Sequence, residues 1–376
     1  MGRRRARRTV TSTRRSPTDQ LPFGSITDVA GINVGHFQRT GRGWQTGTTV
    51  VIAAGGATPG VDVRGGGPGT RETDAIDPQN LVQEIHGICL TGGSAFGLAA
   101  SYGLMSWLEE RSLGFPIGSG AGIPPVVPVV PVVPGAVIFD LGRAGNGANR
   151  PDADFGSKAA HNARSAQTKW GSVGAGTGAK AGGLQGGVGT ASTTVRIPGQ
   201  PSGAVTGTDI EVTIGALAVA NPNGSVIDPV SGLPWEPSGL RLRRPPGDER
   251  RVLAAALAGP AVPGFGVSES LNTTIGVVAT SARLNKAETS KMASVAHDGM
   301  ARAVRPAHSM TDGDTVFGLA TGAHPLPAQA RHQALNLILA AAADTFAAAC
   351  THAVLAATTI GPLAAYRDLC PSVYRS

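Results

Sequence analysis

The stretch Asn272-Thr-Thr-Ile-Gly-Val-Val-Ala-Thr280 decides the fold. From Thr273 onward it is mostly apolar and rich in β-branched residues, which predicts a buried strand. Asn285 followed three residues later by Glu288 is a capping box, and it predicts a helix from about Lys286 to Val304. Val316–Ala320 reads as a second strand. Pro327 to about Ala356 is Ala-rich and helical, with Leu335, Ile338 and Leu339 on one face. Strand, helix, strand, helix predicts helices laid over a sheet, in a mixed α+β or α/β layered fold.

The same pattern extends upstream. Ile32–Val34 and Thr48–Ile52 read as a strand pair around the turn Gly41–Gly43, and 55–70 as a long loop of Gly, Pro and small residues. Ile85–Leu90 is a short buried strand leading into Thr91-Gly92-Gly93-Ser94 and a helix from about Ala95 to Arg111. A Gly turn before a helix presents free N–H groups and can hold an oxyanion, so Gly93 and Ser94 are candidates, although such turns also serve packing alone. Residues 124–134 repeat Val-Val-Pro and predict an extended connector, since proline removes ladder donors. Val137–Leu141 and Ile210–Ala220 read as strands, and 222–250 as an exposed loop. The Gly-rich run 171–189 has neither a dinucleotide fingerprint nor a phosphate-loop ending.

A net charge of +7 suggests a nucleic-acid partner, but its distribution argues against one. Seven arginines lie in the first fifteen residues; without them the 32 basic residues fall to 25, equal to the 25 acidic. Residues 1–20 therefore read as a disordered basic tail, and 21–376 as one electroneutral domain with no nucleic-acid partner. No apolar stretch follows the arginines and no run of about 18 apolar residues appears, so neither a secretory signal nor a membrane span is expected. Three widely spaced cysteines give no disulfide framework, which suits a cytoplasmic setting.

Eight histidines form no metal-ligand pattern, so no metal or cofactor is expected. Gly92-Gly93-Ser94-Ala95-Phe96-Gly97 misses the Gly-x-Ser-x-Gly nucleophile elbow by one position. Two short elements remain. A break before Thr273 would put an α-amine on the residue that carries the hydroxyl, and such an amine titrates near neutrality and can act as the base for its own Oγ. Asp312 and Asp314, one residue apart, would point to one side in extended structure and hold that amine. By themselves, Asn-Thr-Thr also reads as a glycosylation sequon and Asp-Gly-Asp as a turn or a Ca²⁺ loop.

Taken together, the motifs resemble those of the DmpA-like self-processing aminopeptidases, which include L-aminopeptidase/D-esterases, β-peptidyl aminopeptidases and nylon-oligomer hydrolases. The matching segments are Gly66-Gly-Pro-Gly-Thr-Arg-Glu-Thr-Asp74, Leu90-Thr-Gly-Gly-Ser-Ala-Phe-Gly-Leu98, Ala136-Val-Ile-Phe-Asp-Leu141, Ala220-Asn-Pro-Asn-Gly224, Asn272–Thr280 and His297–Pro306 through Asp312-Gly-Asp-Thr-Val-Phe317. The resemblance implies a four-layer α-β-β-α sandwich resembling N-terminal nucleophile hydrolases, cut between Asn272 and Thr273 into chains 1–272 and 273–376. It implies Thr273 as nucleophile, Asp312 and Asp314 as its orienting groups, and Asn221 at the oxyanion. It also implies a small peptide, amino-acid amide or ester, or amide-oligomer substrate, and a homo-oligomer of cleaved heterodimers. Three positions depart from many relatives: Gln185 replaces Lys, Phe139 replaces Tyr and Ala99 replaces Asp. Gln185 and Phe139 are thus candidate pocket residues beside Gly93 and Ser94. Acyl transfer on the same scaffold, or a non-catalytic binding protein, are the alternatives.

Overall fold

The structure, a computed structural model, describes residues 24–374 apart from 118–127, 144, 167–168, 200–207, 238 and 259–270. The basic tail and residues 124–127 of the Val-Val-Pro connector lie outside the described residues. In chain order the main elements are β1 (Ile32–Gly41), β2 (Trp44–Val63), β3 (Ile85–Thr91), α1 (Ala100–Glu109), β4 (Gly135–Val137), α2 (Ala153–His161), β5 (Gly187–Ile197), β6 (Ile210–Ala220), α3 (Gly247–Ala258), β7 (Ile275–Arg283), α4 (Lys286–Ala303), β8 (Thr315–Pro325) and α5 (Arg331–Leu355).

β2 is long enough to serve two sheets. Its first half pairs with β1 and β3, and its second half with β8. The ladder runs β5-β6-β7-β8-β2-β3-β4, with β1 on the side of β2. Side chains alternate faces along each strand, and the core divides accordingly. Val50, Ile52 and Cys89 pack with Leu104 and Phe155 of α1 and α2, while Val51, Ile88 and Leu90 pack with Leu217, Val277 and Phe317 of the other sheet. On that sheet's far face, Ala216, Val278 and Val316 meet Met292, Ala296, Ile338 and Phe346 of α4 and α5. Three cores between four layers make an α-β-β-α sandwich in the α+β class.

Several boundaries correct the sequence reading. Residues 55–63 belong to β2 and not to a loop. The helix after Gly93 starts as a 3-10 turn, Ser94–Ala99, before α1, and β4 ends at Val137. α3 begins inside the region expected to be an exposed loop, and Val129–Val130 of the Pro-rich repeat pairs with Phe115–Pro116. The capping box is present, with Asn285 accepting from Glu288 N–H and Glu288 from Asn285 N–H, both at 2.9 Å. One helical stretch, Ala328–Leu355, is by length and composition long and apolar enough to cross a membrane, and 67% of its apolar window is buried within the protein. It is the helix layer over β5 and β6, where an apolar face has a sheet to meet.

Candidate active site

Strand direction explains why distant residues converge. β7 and β8 are parallel, with Ile275 opposite Thr315, so both strands begin at the same edge. β6 is antiparallel to β7, with Val219 opposite Ile275, so β6 ends there. β2 is antiparallel to β8, with Val63 opposite Thr315, so Arg64–Gly67 leave from that edge too. Asn221, Asn272, Thr273, Asp312 and Asp314 are thereby brought together, all nearly or fully buried.

The Asn272–Thr273 junction is held in extended form between the end of β6 and the loop before β8. Asn272 N–H donates to Thr311 O at 3.1 Å, and Thr273 N–H to Asn221 O at 2.8 Å. Gly313 N–H lies 3.1 Å from Asn272 O and 3.2 Å from Thr273 Oγ1. The Thr273 hydroxyl itself contacts Asn272 O. One backbone donor therefore serves both the carbonyl of the junction and the hydroxyl beside it.

The two aspartates act on the surrounding backbone. Asp314 Oδ1 accepts from Thr274 N–H at 2.7 Å, and its Oδ2 from His308 N–H at 3.0 Å and His308 Nδ1 at 2.8 Å. Asp312 accepts from Asn223 N–H at 3.1 Å and from the Ser309 backbone and hydroxyl at 3.1 and 2.5 Å. The expected direct hold on the Thr273 nitrogen is not what this geometry shows: that N–H goes to Asn221 O. Asp314 instead fixes Thr274, the residue after Thr273, together with His308, and Asp312 fixes Asn223 and Ser309. Asn221 also uses its side chain, with Oδ1 accepting from Lys180 N–H at 2.9 Å and from Arg143, while Nδ2 is buried without a hydrogen-bond partner.

The other candidates are placed differently. Gln185 is fully buried, and its amide donates to Thr177 O, Ala179 O and Gly186 O at 3.0–3.2 Å, with no hydrogen bond to Thr273 or Asn221. Gly93 N–H is committed to Asp140 Oδ1 at 2.7 Å, and Ser94 N–H to Ile138 O at 3.0 Å, so neither donor is free for an oxyanion. Phe139 is half-buried, with the Arg143 guanidinium 5.8 Å from its ring centre. Burial pushes the Asp140 carboxyl up to about 6, against the pull of Thr46, Gly93 and Arg143. Burial lowers Arg143 to about 10, and burial together with Arg143 lowers Lys180. Among the described residues, no group of three or more His, Cys, Asp or Glu could hold a metal ion.

Sequence reasoning missed Arg143, Gly313 and His308. Arg143 sits in a Gly-rich loop where its type carries no pattern. Gly313 reads as a turn glycine until its N–H is seen on the junction. His308 has φ of +59°, an uncommon left-handed conformation for a non-glycine residue.

Residues 24–365 match the family described as Peptidase family S58. The chain belongs to that family. An uncharacterized aminopeptidase of Mycobacterium tuberculosis is 46% identical over 371 residues, covering 94% of this chain and all of that one. A 6-aminohexanoate-oligomer endohydrolase of Kocuria is 31% identical over 306 residues, covering 80% of this chain and 76% of the relative. The L-aminopeptidase D-Ala-esterase/amidase of Ochrobactrum anthropi superposes with a TM-score of 0.63 at 21% identity, covering 91% of each chain; its structure is described as a variant of the Ntn hydrolase fold. A Burkholderia β-aminopeptidase superposes with the same score and identity, covering 95% of this chain and 96% of that one. This S58 member is therefore a hydrolase built on an Ntn-type fold.

Proposed function

We propose that the chain cuts itself between Asn272 and Thr273, and that Thr273 then serves as the N-terminal nucleophile of an amidohydrolase acting on small peptides, amino-acid amides or esters, or amide oligomers. The observation that carries this reading is the junction geometry: the Thr273 hydroxyl lies against the Asn272 carbonyl, and Gly313 N–H donates to both.

In processing, Thr273 Oγ attacks the Asn272 carbonyl carbon. The negative charge that builds on Asn272 O meets Gly313 N–H, already within reach. Preorganised donors at a developing oxyanion are worth a few kcal/mol. The C–N bond breaks, the Thr273 nitrogen takes a proton, and an ester joins Asn272 to Oγ. Water hydrolyses that ester and leaves a carboxylate on Asn272 and a free α-amine on Thr273.

In turnover the amine takes the hydroxyl proton as Oγ attacks the substrate carbonyl. Asn221 O keeps the amine in place, and Asn221 Nδ2 is a buried donor suited to the oxyanion. The leaving amine (or alcohol) departs with the proton, and water releases the acyl group. Asp314 holds Thr274 and so the start of β7.

The test is Thr273→Ala. The expected result is one uncut chain of 37.8 kDa with no amidase activity, whereas the unaltered protein gives two chains, the smaller beginning Thr-Thr-Ile-Gly. An alanine variant that still hydrolyses amides would remove Thr273 as nucleophile.

A further inference from the structure

In the uncut chain, the residues before the junction occupy the place that the acyl part of a substrate takes when Thr273 attacks it. Leu271 and Asn272 are thus an internal image of the acyl group. Their partners describe the pocket.

Arg143 donates to Leu271 O and to Asn272 Oδ1, both at 2.8 Å, and also to Asn221 Oδ1. Asn223 Oδ1 accepts from Asn272 Nδ2 at 3.3 Å. The Asn272 carboxamide is thus read at both ends, its oxygen by a guanidinium and its NH₂ by an amide oxygen. Asn223 is itself fixed, since its N–H is bound to Asp312 Oδ1 at 3.1 Å. Among the described residues no carboxylate forms an ion pair with Arg143. Burial already weakens its hold on its proton. Two of its three acceptors belong to the segment that a cut at Thr273 sets free. A buried cation that loses acceptors is costly until another group takes their place.

The geometry points to Arg143 and Asn223 as the acyl-side specificity pocket of the cut enzyme, selecting substrates whose attacked residue carries a carboxamide side chain. This rests on Thr273 being the nucleophile. It gives Asp312 a concrete task, because that carboxylate holds Asn223. It also accounts for Thr311 O, which accepts the Asn272 N–H and would accept the α-amine of an aminoacyl substrate.

Asparagine and leucine side chains are nearly the same shape, so their p-nitroanilides isolate the polar contacts. On the cut wild-type protein, kcat/KM for L-asparaginyl p-nitroanilide should exceed that for the L-leucyl compound about tenfold or more, the worth of one charge-assisted hydrogen bond. It should also exceed that for the L-aspartyl compound, whose carboxylate offers Asn223 Oδ1 no donor. Arg143→Met and Asn223→Leu should each bring the asparaginyl-to-leucyl ratio towards 1. Arg143 also touches Asn221, so Asn223→Leu carries the test if the arginine variant stays uncut. A wild-type ratio near 1, or a preference for the aspartyl compound, would overturn the carboxamide pocket while leaving Thr273 as nucleophile. A cut protein inert to all three anilides would likewise overturn the pocket, and the nucleophile is judged separately by Thr273→Ala.

Discussion

Asp140 offers a quantitative test of how this site is built. Its carboxyl is 5% exposed, accepts from Thr46 Oγ1 at 2.6 Å and Gly93 N–H at 2.7 Å, and is raised by burial from 3.8 to about 6. A carboxyl whose folded-state value is raised favours the folded state below about 3.8 and loses that advantage as pH climbs through about 6. Between pH 4.5 and 7.5 the two titrations differ by on the order of 2 kcal/mol, at about 1.4 kcal/mol per pH unit of separation. Asp140→Asn removes this titration and keeps one of the two acceptor oxygens, so one of the bonds from Thr46 and Gly93 is lost. Both proteins would carry Thr273→Ala so that each unfolds as one chain, and stability would be read from urea unfolding at the two pH values. The expected result is a stability difference, variant minus parent, that moves about 2 kcal/mol in the variant's favour at the higher pH. Any constant offset from lost hydrogen bonding cancels in that comparison. Parallel pH dependences would refute the argument that burial dominates at Asp140.

Two further outcomes follow from the surroundings of Gly313 and Gln185. A methyl at Gly313 would sit 2.7 Å from Gly67 O and 2.9 Å from Thr273 Oγ1, so Gly313→Ala should displace the hydroxyl and slow cleavage about 100-fold, read as precursor loss over time. Gln185→Leu should lower stability by about 1–3 kcal/mol, because three carbonyls lose their donor, yet still cleave to completion. The two effects are separable by measuring melting and cleavage on the same samples.

The second half of the chain was the more legible. Strands β7 and β8 and helices α4 and α5 announce themselves through apolar runs, a capping box and an Ala-rich face, and the structure moves only their ends. Glycine caused the misreading of 55–63 as a loop. Gly60 suggests a loop, yet it lies in a strand with a helix pressed against it: a methyl would meet Ser290 N at 2.4 Å. That reason is tertiary, and a local window cannot contain it. At the site, the motif resemblance named Thr273, Asp312, Asp314 and Asn221, and strand direction brings them together. What each carboxylate touches was not readable, because it depends on how the 308–314 loop folds back on itself. Arg143 was invisible for the same reason: its partners are 78 to 129 residues away in sequence.

The order of the strands gives a cut at Thr273 an unusual physical meaning. The piece from 273 to 376 contributes β7, α4, β8 and α5, and its two strands are wedged between β6 on one side and β2 on the other. Both neighbours belong to the longer piece. The smaller piece cannot slide off an edge; to leave, it must tear two hydrogen-bonded ladders and strip a helix layer at once. Dissociation and unfolding are then the same event. Before the cut, refolding is a property of one molecule and independent of dilution. After it, two chains must find each other, and each alone exposes a raw sheet edge that invites aggregation. The cut would thus act as a ratchet, exchanging a protein that can recover from unfolding for one whose lifetime is set by how slowly it first comes apart.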